Sequence, residues 1–208
     1  MRLSIKGSAP VQASMNLLRI FQWISGRYES PSPHFIKQGV LIRNASPNAT
    51  WVETGTYLGS TTKKLKKMGV RVISVEPQTE FYSYNLNKFK DASNVELHHG
   101  TSEQVFPDLV PTLHGNINFW LDGHFSGGNT FKGESETPIL KELMLISQNL
   151  DHFGDVTVFI DDVRCFAPNK PEYQQYPEVD LLVQWSNTNG LTWTIEHDIF
   201  IAKRVKKS

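Results

Sequence analysis

The stretch "VTVFIDDVRCF", residues 156–166, carries an apolar, largely β-branched run into two adjacent carboxylates, Asp161 and Asp162. A run of that composition reads as a strand buried on both faces. Two like charges at its exit repel one another, and removing them from water is costly unless something positive compensates. The pair marks either a solvated loop with an acidic helix cap or a place where a cation or positively charged ligand sits. Asp122 ends the run "INFWLDG" in the same way, and Glu76 ends "VISVEP".

A glycine-rich turn accompanies these acids. In "WVETGTYLGSTTKKL" a strand passes through Glu53, Gly55 and Thr56 into a tight turn and then a helix. Gly55 and Gly59 allow close backbone approach, and the N–H groups around Gly59, Ser60 and Thr61 open a helix towards a ligand. The dinucleotide fingerprint G-x-G-x-x-G requires glycine where this chain has Tyr57 and again where it has Ser60. A pyrophosphate would meet a side chain there, whereas a smaller ligand with a carboxylate, such as an amino-acid moiety, suits the helix start. Glu76 follows the turn by about 20 residues, the spacing at which an acid accepts hydrogen bonds from a ribose diol. Beyond "VELHHG", Thr101 and Ser102 stand either beside an adenine ring or as the N-cap of the next helix, with Glu103 and Gln104 nearby.

Positioning these groups is the task of the intervening elements. From Trp51 onward the apolar runs "TWVETG", "VRVISVEP", "VELHHG", "INFWLDG" and "VTVFIDD" alternate with helix-like stretches, "STTKKLKKMG", "TEFYSYNLNKFK", "TSEQVFPDLV" and "SETPILKELMLISQNL". Such alternation predicts βαβ units and a parallel sheet covered on both faces. "LTWTIEHDIFIAKRV" reads as two strands separated by the polar "EHD", an antiparallel terminal hairpin at one edge. Before the sheet, "SMNLLRIFQWISGRY" has helical spacing with Ser14 as N-cap, "ESPSPH" breaks it, and "FIKQGVLIRNA" suggests a second short helix. The expected architecture is a doubly wound, Rossmann-like α/β domain over 49–208 with an N-terminal helical extension over 1–48. Open sheets of this kind bind ligands beyond the carboxyl ends of their strands, so the acidic and glycine-rich exits converge on one crevice.

Composition narrows the function further. Lys+Arg and Asp+Glu are both 21 among 208 residues, so no overall field argues for nucleic acid. The basic end "AKRVKKS" reads as a solvated chain end. Cys165 is the lone cysteine, which excludes an internal disulfide framework and favours a reducing compartment. No apolar run approaches the roughly 20 residues needed to cross a bilayer, and "MRLSIKGSAPVQASM" has no long apolar centre of the secretory type. Cytoplasmic location is the expectation.

The ordered motifs "VETGTYLGS", "VEP", "LHHGTSE", "NFWLDGH" and "FIDD" resemble those of class I S-adenosylmethionine-dependent methyltransferases, over roughly Ala49 to Val205. "VEP" before an aromatic-rich helix is similar to the FkbM-type branch; "LDGH" with "IDD" is similar to the macrocin O-methyltransferase branch and to catechol O-methyltransferase. The resemblance implies a seven-stranded sheet with S-adenosylmethionine across the first, second and fourth strand ends. Carried over, its cofactor contacts are Glu53, Gly55, Thr56, Tyr57, Gly59, Ser60, Glu76, Thr101, Ser102 and Asp122. In metal-dependent members, one acid at the fourth strand end and two adjacent residues at the fifth hold magnesium, which here implies Asp122, Asp161 and Asp162. A cation of that kind would acidify the acceptor hydroxyl. His124 is the candidate base, because its unperturbed pKa of about 6.5 suits proton transfer near neutrality. In catechol O-methyltransferase a lysine stands three residues after the acid, where this chain has Phe125; Lys132 in the following loop could substitute.

The polar segment 123–138 reads as a substrate lid carrying Asn129, Lys132 and Glu134. Residues 168–178 form a second loop, whose Tyr173 or Tyr176 could stack on a sugar. The reading is a magnesium-assisted O-methyltransferase acting on a small polyhydroxylated acceptor, a sugar or glycosylated metabolite. Its partners are then that small-molecule acceptor and, at most, further copies of the chain in a homo-oligomer, with no nucleic acid and no membrane. A nicotinamide-dependent oxidoreductase and a non-catalytic S-adenosylmethionine-binding accessory protein are the competing readings, and Tyr57 and Ser60 argue against the first.

Overall fold

A computed structural model describes residues 9–68, 70–123, 137–167 and 170–206. Strands β1 (Thr50–Thr54), β2 (Val72–Glu76), β3 (Val95–His99), β4 (Gly115–Leu121), β5 (Phe153–Ile160), β6 (Thr192–Glu196) and β7 (Ile199–Arg204) form a single sheet in the order β3-β2-β1-β4-β5-β7-β6. The first five are parallel, and β7 runs antiparallel to both β5 and β6. The expected Rossmann-like sheet with its terminal hairpin is therefore present. The hairpin turn is tighter than the sequence suggested: His197 and Asp198 alone make it, both with positive φ (48° and 69°), the backbone of a two-residue type I′ connection.

Helices α1 (Ala9–Ser25), α2 (His34–Asn44), α3 (Ser60–Lys66), α4 (Thr79–Phe89), α5 (Ser102–Leu109), α6 (Ile139–Asn149) and α7 (Val179–Thr188) surround the sheet. Two expectations need correction. Helix α1 begins at Ala9, so Ser14 lies within it and is not its N-cap; Pro10 sits in the first turn, where its missing N–H costs no hydrogen bond. Helix α7 has no counterpart among the expected helices, although "VDLLVQW" places Leu182, buried, in register with Trp185 and Ser186.

Alternation along the strands decides what each face buries. Val52, Ile73, Val75, Phe119, Leu121, Val158 and Ile160 face one core with residues of α5, α6 and α7. Trp51, Val72, Trp120, Phe159 and Ile201 face the other, together with Val40 and Leu41 of α2 and Leu65 of α3. On that second face Trp51 stacks on Phe159 with ring centroids 5.6 Å apart. Helix α2 thus belongs to the core, whereas α1 leaves Leu17, Leu18 and Phe21 exposed. A buried polar bridge fixes the connection from α2 to β1: Asn118 exchanges two hydrogen bonds with the Ser46 backbone, and Ser46 Oγ lies 2.9 Å from Thr157 Oγ1.

Register brings the strand exits together. Thr54 pairs with Val75 on one side and with Leu121 on the other, and Leu121 pairs with Ile160. Gly55, Glu76, Asp122 and Asp161, each one residue further on, consequently form a row along one sheet edge. Strand order reverses between β1 and β4, which places this row at the topological switch point.

Candidate functional site

The glycine turn after β1 is shaped by steric necessity. Gly55 has φ of 82°, and a Cβ there would stand 2.7 Å from the Asp122 carbonyl oxygen. Gly59, with φ of 64°, leads directly into α3, and a Cβ on it would stand 2.8 Å from the Phe89 ring. Only glycine fits either place. Tyr57 is itself in the left-handed region, φ 48°, with its side chain half exposed and its ring edge-on to Phe81 at 4.6 Å.

Helix α4 and strand β2 lock that turn. Asn85 donates to the Tyr57 carbonyl at 2.6 Å, and Lys88 donates to the carbonyls of Leu58 and Gly59. Glu76 accepts the Tyr57 N–H at 2.7 Å through Oε2 and the Gln78 N–H at 2.9 Å through Oε1. Burial holds the Glu76 carboxyl above the usual carboxylate range, despite these two amide donors. Beneath the turn, Glu53 is 1% exposed. Its Oε2 accepts from Thr62 Oγ1 at 2.5 Å and Ser74 Oγ at 2.6 Å, and Ser74 in turn lies 2.6 Å from Thr56 Oγ1. Burial pushes the Glu53 carboxyl up to about 7, outweighing the hydrogen bonds from Ser74 and Thr62. Glu53 and Thr56 therefore act as the foundation that ties β1, β2 and α3 together. Thr101 forms a reciprocal capping box with Gln104 at the start of α5, and Ser102 is buried in that first turn. Thr101 is thus the N-cap of α5, with Ser102 its first helical residue.

The exit of β5 answers the question raised by its two acids. Lys37 of α2 reaches across and places Nζ 2.5 Å from Asp161 Oδ1 and 2.7 Å from Asp162 Oδ1, with all three residues buried. Asp162 sits in the left-handed region at φ 55°, its N–H bonded to Asp161 Oδ1 at 2.8 Å. Arg164 Nη1 approaches Asp162 Oδ1 at 2.5 Å and also bonds Asp198 Oδ2. Burial disfavours the Lys37 charge, but the attraction of Asp161 and Asp162 and the hydrogen bonds to both outweigh it and hold its pKa above the ordinary lysine value. Burial, with the neighbouring Asp162 charge, pushes the Asp161 carboxyl up to about 6 against the pull of Lys37.

The magnesium site implied for Asp122, Asp161 and Asp162 finds no support in this geometry. Among the described residues, no three acidic, histidine or cysteine side chains gather as a metal-binding group. An ammonium stands between the two β5 carboxylates instead. Asp122 lies in the expected row and its N–H bonds Thr54 Oγ1 at 3.2 Å. The candidate bases His124 and Lys132, and the lid residues Asn129 and Glu134, lie outside the described residues. Tyr176 is buried and packs edge-on against Phe166 at 5.5 Å, so its ring belongs to the core and does not offer a face to a sugar.

Several residues at this edge carry no obvious motif. His34 and Gln38, on the same helix as Lys37, reach the start of α3 beyond the glycine turn: Gln38 Nε2 lies 3.3 Å from Ser60 Oγ and His34 Nε2 lies 3.4 Å from Thr61 Oγ1. Burial and the charges of Lys37 and Arg19 hold the His34 pKa below its usual value. One signal was available for Lys37: it falls on the stripe Lys37, Val40, Leu41, Asn44, spaced i, i+3, i+4, i+7, and a lysine on a core stripe is rare unless paired. Asn85 and Lys88 were hidden in an aromatic-rich helix, and nothing in the spacing pointed to them.

No protein-family model matches this chain, and no curated protein matches it. Solved structures do. The O-methyltransferase TomG of Streptomyces achromogenes, involved in tomaymycin synthesis and determined in complex with S-adenosylmethionine, superposes with a TM-score of 0.54 at 15% identity, covering 99% of this chain and 93% of that one. An O-methyltransferase from Bacillus cereus in complex with S-adenosylhomocysteine gives 0.54 at 14% identity over 98% of this chain and 94% of that one. The CcbJ methyltransferase of Streptomyces caelestis gives 0.54 at 12% identity, with coverages of 82% and 88%. The chain has the fold of class I S-adenosylmethionine-dependent methyltransferases.

Proposed function

We propose that this protein transfers the methyl group of S-adenosylmethionine to a hydroxyl of a small polyhydroxylated acceptor, a sugar or a glycosylated metabolite. The observation that carries the reading is the row Gly55, Glu76 and Asp122 at the ends of β1, β2 and β4, beside a turn whose backbone is locked by Asn85 and Lys88. The residues fit the cofactor: two glycines open the turn to close approach, Glu76 offers carboxylate lone pairs at the ribose position, and Tyr57 obstructs a pyrophosphate. The O-methyltransferase folds of TomG and the Bacillus cereus protein support the same choice.

The cofactor supplies an electrophilic methyl on a sulfonium; the protein supplies position. In-line displacement depends on holding the acceptor oxygen opposite the leaving sulfur, so a rigid turn and a fixed row of strand ends contribute mainly by orientation. His124 is proposed as the base that takes the hydroxyl proton, with Lys132 as its substitute. No metal step is included, because Lys37 Nζ stands between the two carboxylates that would hold magnesium.

Calorimetric titration with S-adenosylhomocysteine tests the reading. Saturable one-site binding, weakened at least about tenfold by Glu76→Ala, is expected for a lost charge-assisted contact. No heat at millimolar ligand removes the methyl-donor function altogether.

A further inference from the structure

Buried lysines are uncommon, and this one is held in a specific way. Lys37 is 6% exposed, and the carboxylates it meets are 7% and 9% exposed. Asp161 and Asp162 turn one oxygen each toward a single nitrogen, at 2.5 Å and 2.7 Å, and Asp162 adopts a left-handed backbone to do so. Side-by-side carboxylates converging on one point from the end of a parallel strand form a cation seat, and here the cation is part of the chain. A divalent ion bound by the same oxygens would need to sit about 2.0–2.1 Å from them. That volume is taken by the ammonium. Displacing Lys37 would leave its charge buried without a partner, which is strongly unfavourable. Arg164 supplies a second positive charge to Asp162, shared with Asp198, so a dication would also meet a guanidinium beside the seat.

We propose that Lys37 is an internal replacement for a divalent cation: it fills the seat formed by Asp161 and Asp162, excludes metal from it, and fastens helix α2 across the crevice. The fastening has a direction. The neighbours of Lys37 on α2, His34 and Gln38, reach Thr61 and Ser60 at the start of α3, beyond the glycine turn. One helix therefore ties the exit of β5 to the start of α3, and the lysine is the positioning residue at its β5 end. The positive charge that a metal would supply at this strand end is delivered at a fixed place and independently of metal availability. This inference concerns the acids and the lysine alone and does not rest on the methyl-donor reading.

Titration with Mn²⁺ alone, followed by electron paramagnetic resonance and calorimetry, provides the test. The wild-type protein is expected to bind no Mn²⁺ at this seat at millimolar concentration. Lys37→Met, similar in length and uncharged, is expected to bind one Mn²⁺ at least about tenfold more tightly than wild type, and Lys37→Met with Asp161→Asn to lose it again, as removal of a ligand should. The metal should also raise the melting temperature of Lys37→Met and leave that of the wild type unchanged. If Lys37→Met does not fold, Lys37→Gln, which keeps a hydrogen-bond donor toward the acids, carries the same comparison. Two results overturn the proposal: one equivalent of Mn²⁺ bound by the wild type and lost in Asp161→Asn, or a folded Lys37 variant that gains no metal. Binding of S-adenosylhomocysteine, measured on the same samples, distinguishes either result from failure of the methyl-donor reading.

Discussion

Replacing Glu53 by glutamine should change how stability depends on pH more than it changes stability itself. The Glu53 carboxyl is 1% exposed, accepts from Thr62 and Ser74, and is pushed from an ordinary 4.5 up to about 7. The folded protein therefore keeps this proton to higher pH than the unfolded chain. Below pH 4.5 both states are protonated and nothing is lost; between 4.5 and 7 only the unfolded chain releases the proton, so stability falls as pH rises through that window. At about 1.4 kcal/mol per pH unit the whole loss amounts to about 3 kcal/mol. A glutamine oxygen still accepts from Thr62 and Ser74 but never ionises. Urea unfolding of wild type and Glu53→Gln at about pH 4.5 and about pH 8 should give similar stabilities at the lower pH and a variant about 3 kcal/mol more stable at the higher one. Glu76 and Asp161 are raised too and titrate with the same sign. They are present in both proteins and largely cancel in the difference. Parallel curves for the two proteins would refute the reasoning, because the carboxyl would then be no more protonated in the folded state than in the unfolded one.

Two other perturbations address the turn. Gly55→Ala places a methyl 2.7 Å from the Asp122 carbonyl oxygen at φ 82°, so thermal melts should show a loss of roughly 1–3 kcal/mol, and calorimetry a weakened S-adenosylhomocysteine complex. Asn85→Ala removes the donor to the Tyr57 carbonyl, and should cost about 1–3 kcal/mol with an unchanged urea m-value, together with a several-fold loss of cofactor affinity from the loosened turn.

Much of this molecule was legible along the chain. Alternating β-branched runs and helical stretches predicted the parallel sheet, and the placing of ligands beyond the strand ends of such sheets predicted that Gly55, Glu76 and Asp122 would share an edge; the register of β1 with β2 and β4 puts them there. Helix α7 went unanticipated, because the polar segment before it masked a short amphipathic run. Helix α1 starts at Ala9, ahead of the cap expected at Ser14, because a serine before an apolar periodic run resembles a cap even when it lies inside a helix. For Thr101 two roles were open, and the reciprocal bonds with Gln104 favour the local one.

The acids of β5 mark the boundary between the two kinds of information. From the sequence alone it followed that Asp161 and Asp162 would sit together at the end of a buried strand, and two outcomes stayed open there: a solvated, helix-capping loop, or a positive charge that offsets the cost of burying them. Which charge it would be could not follow from the residues around them. Lys37 lies 124 positions away from Asp161, and its ammonium arrives only because Val40 and Leu41 seat α2 on the sheet beside Trp51, Trp120 and Phe159. Periodicity and strand-end chemistry are local and can be read in order. A contact between distant segments is set by how faces pack, and that is decided only when the whole chain is folded.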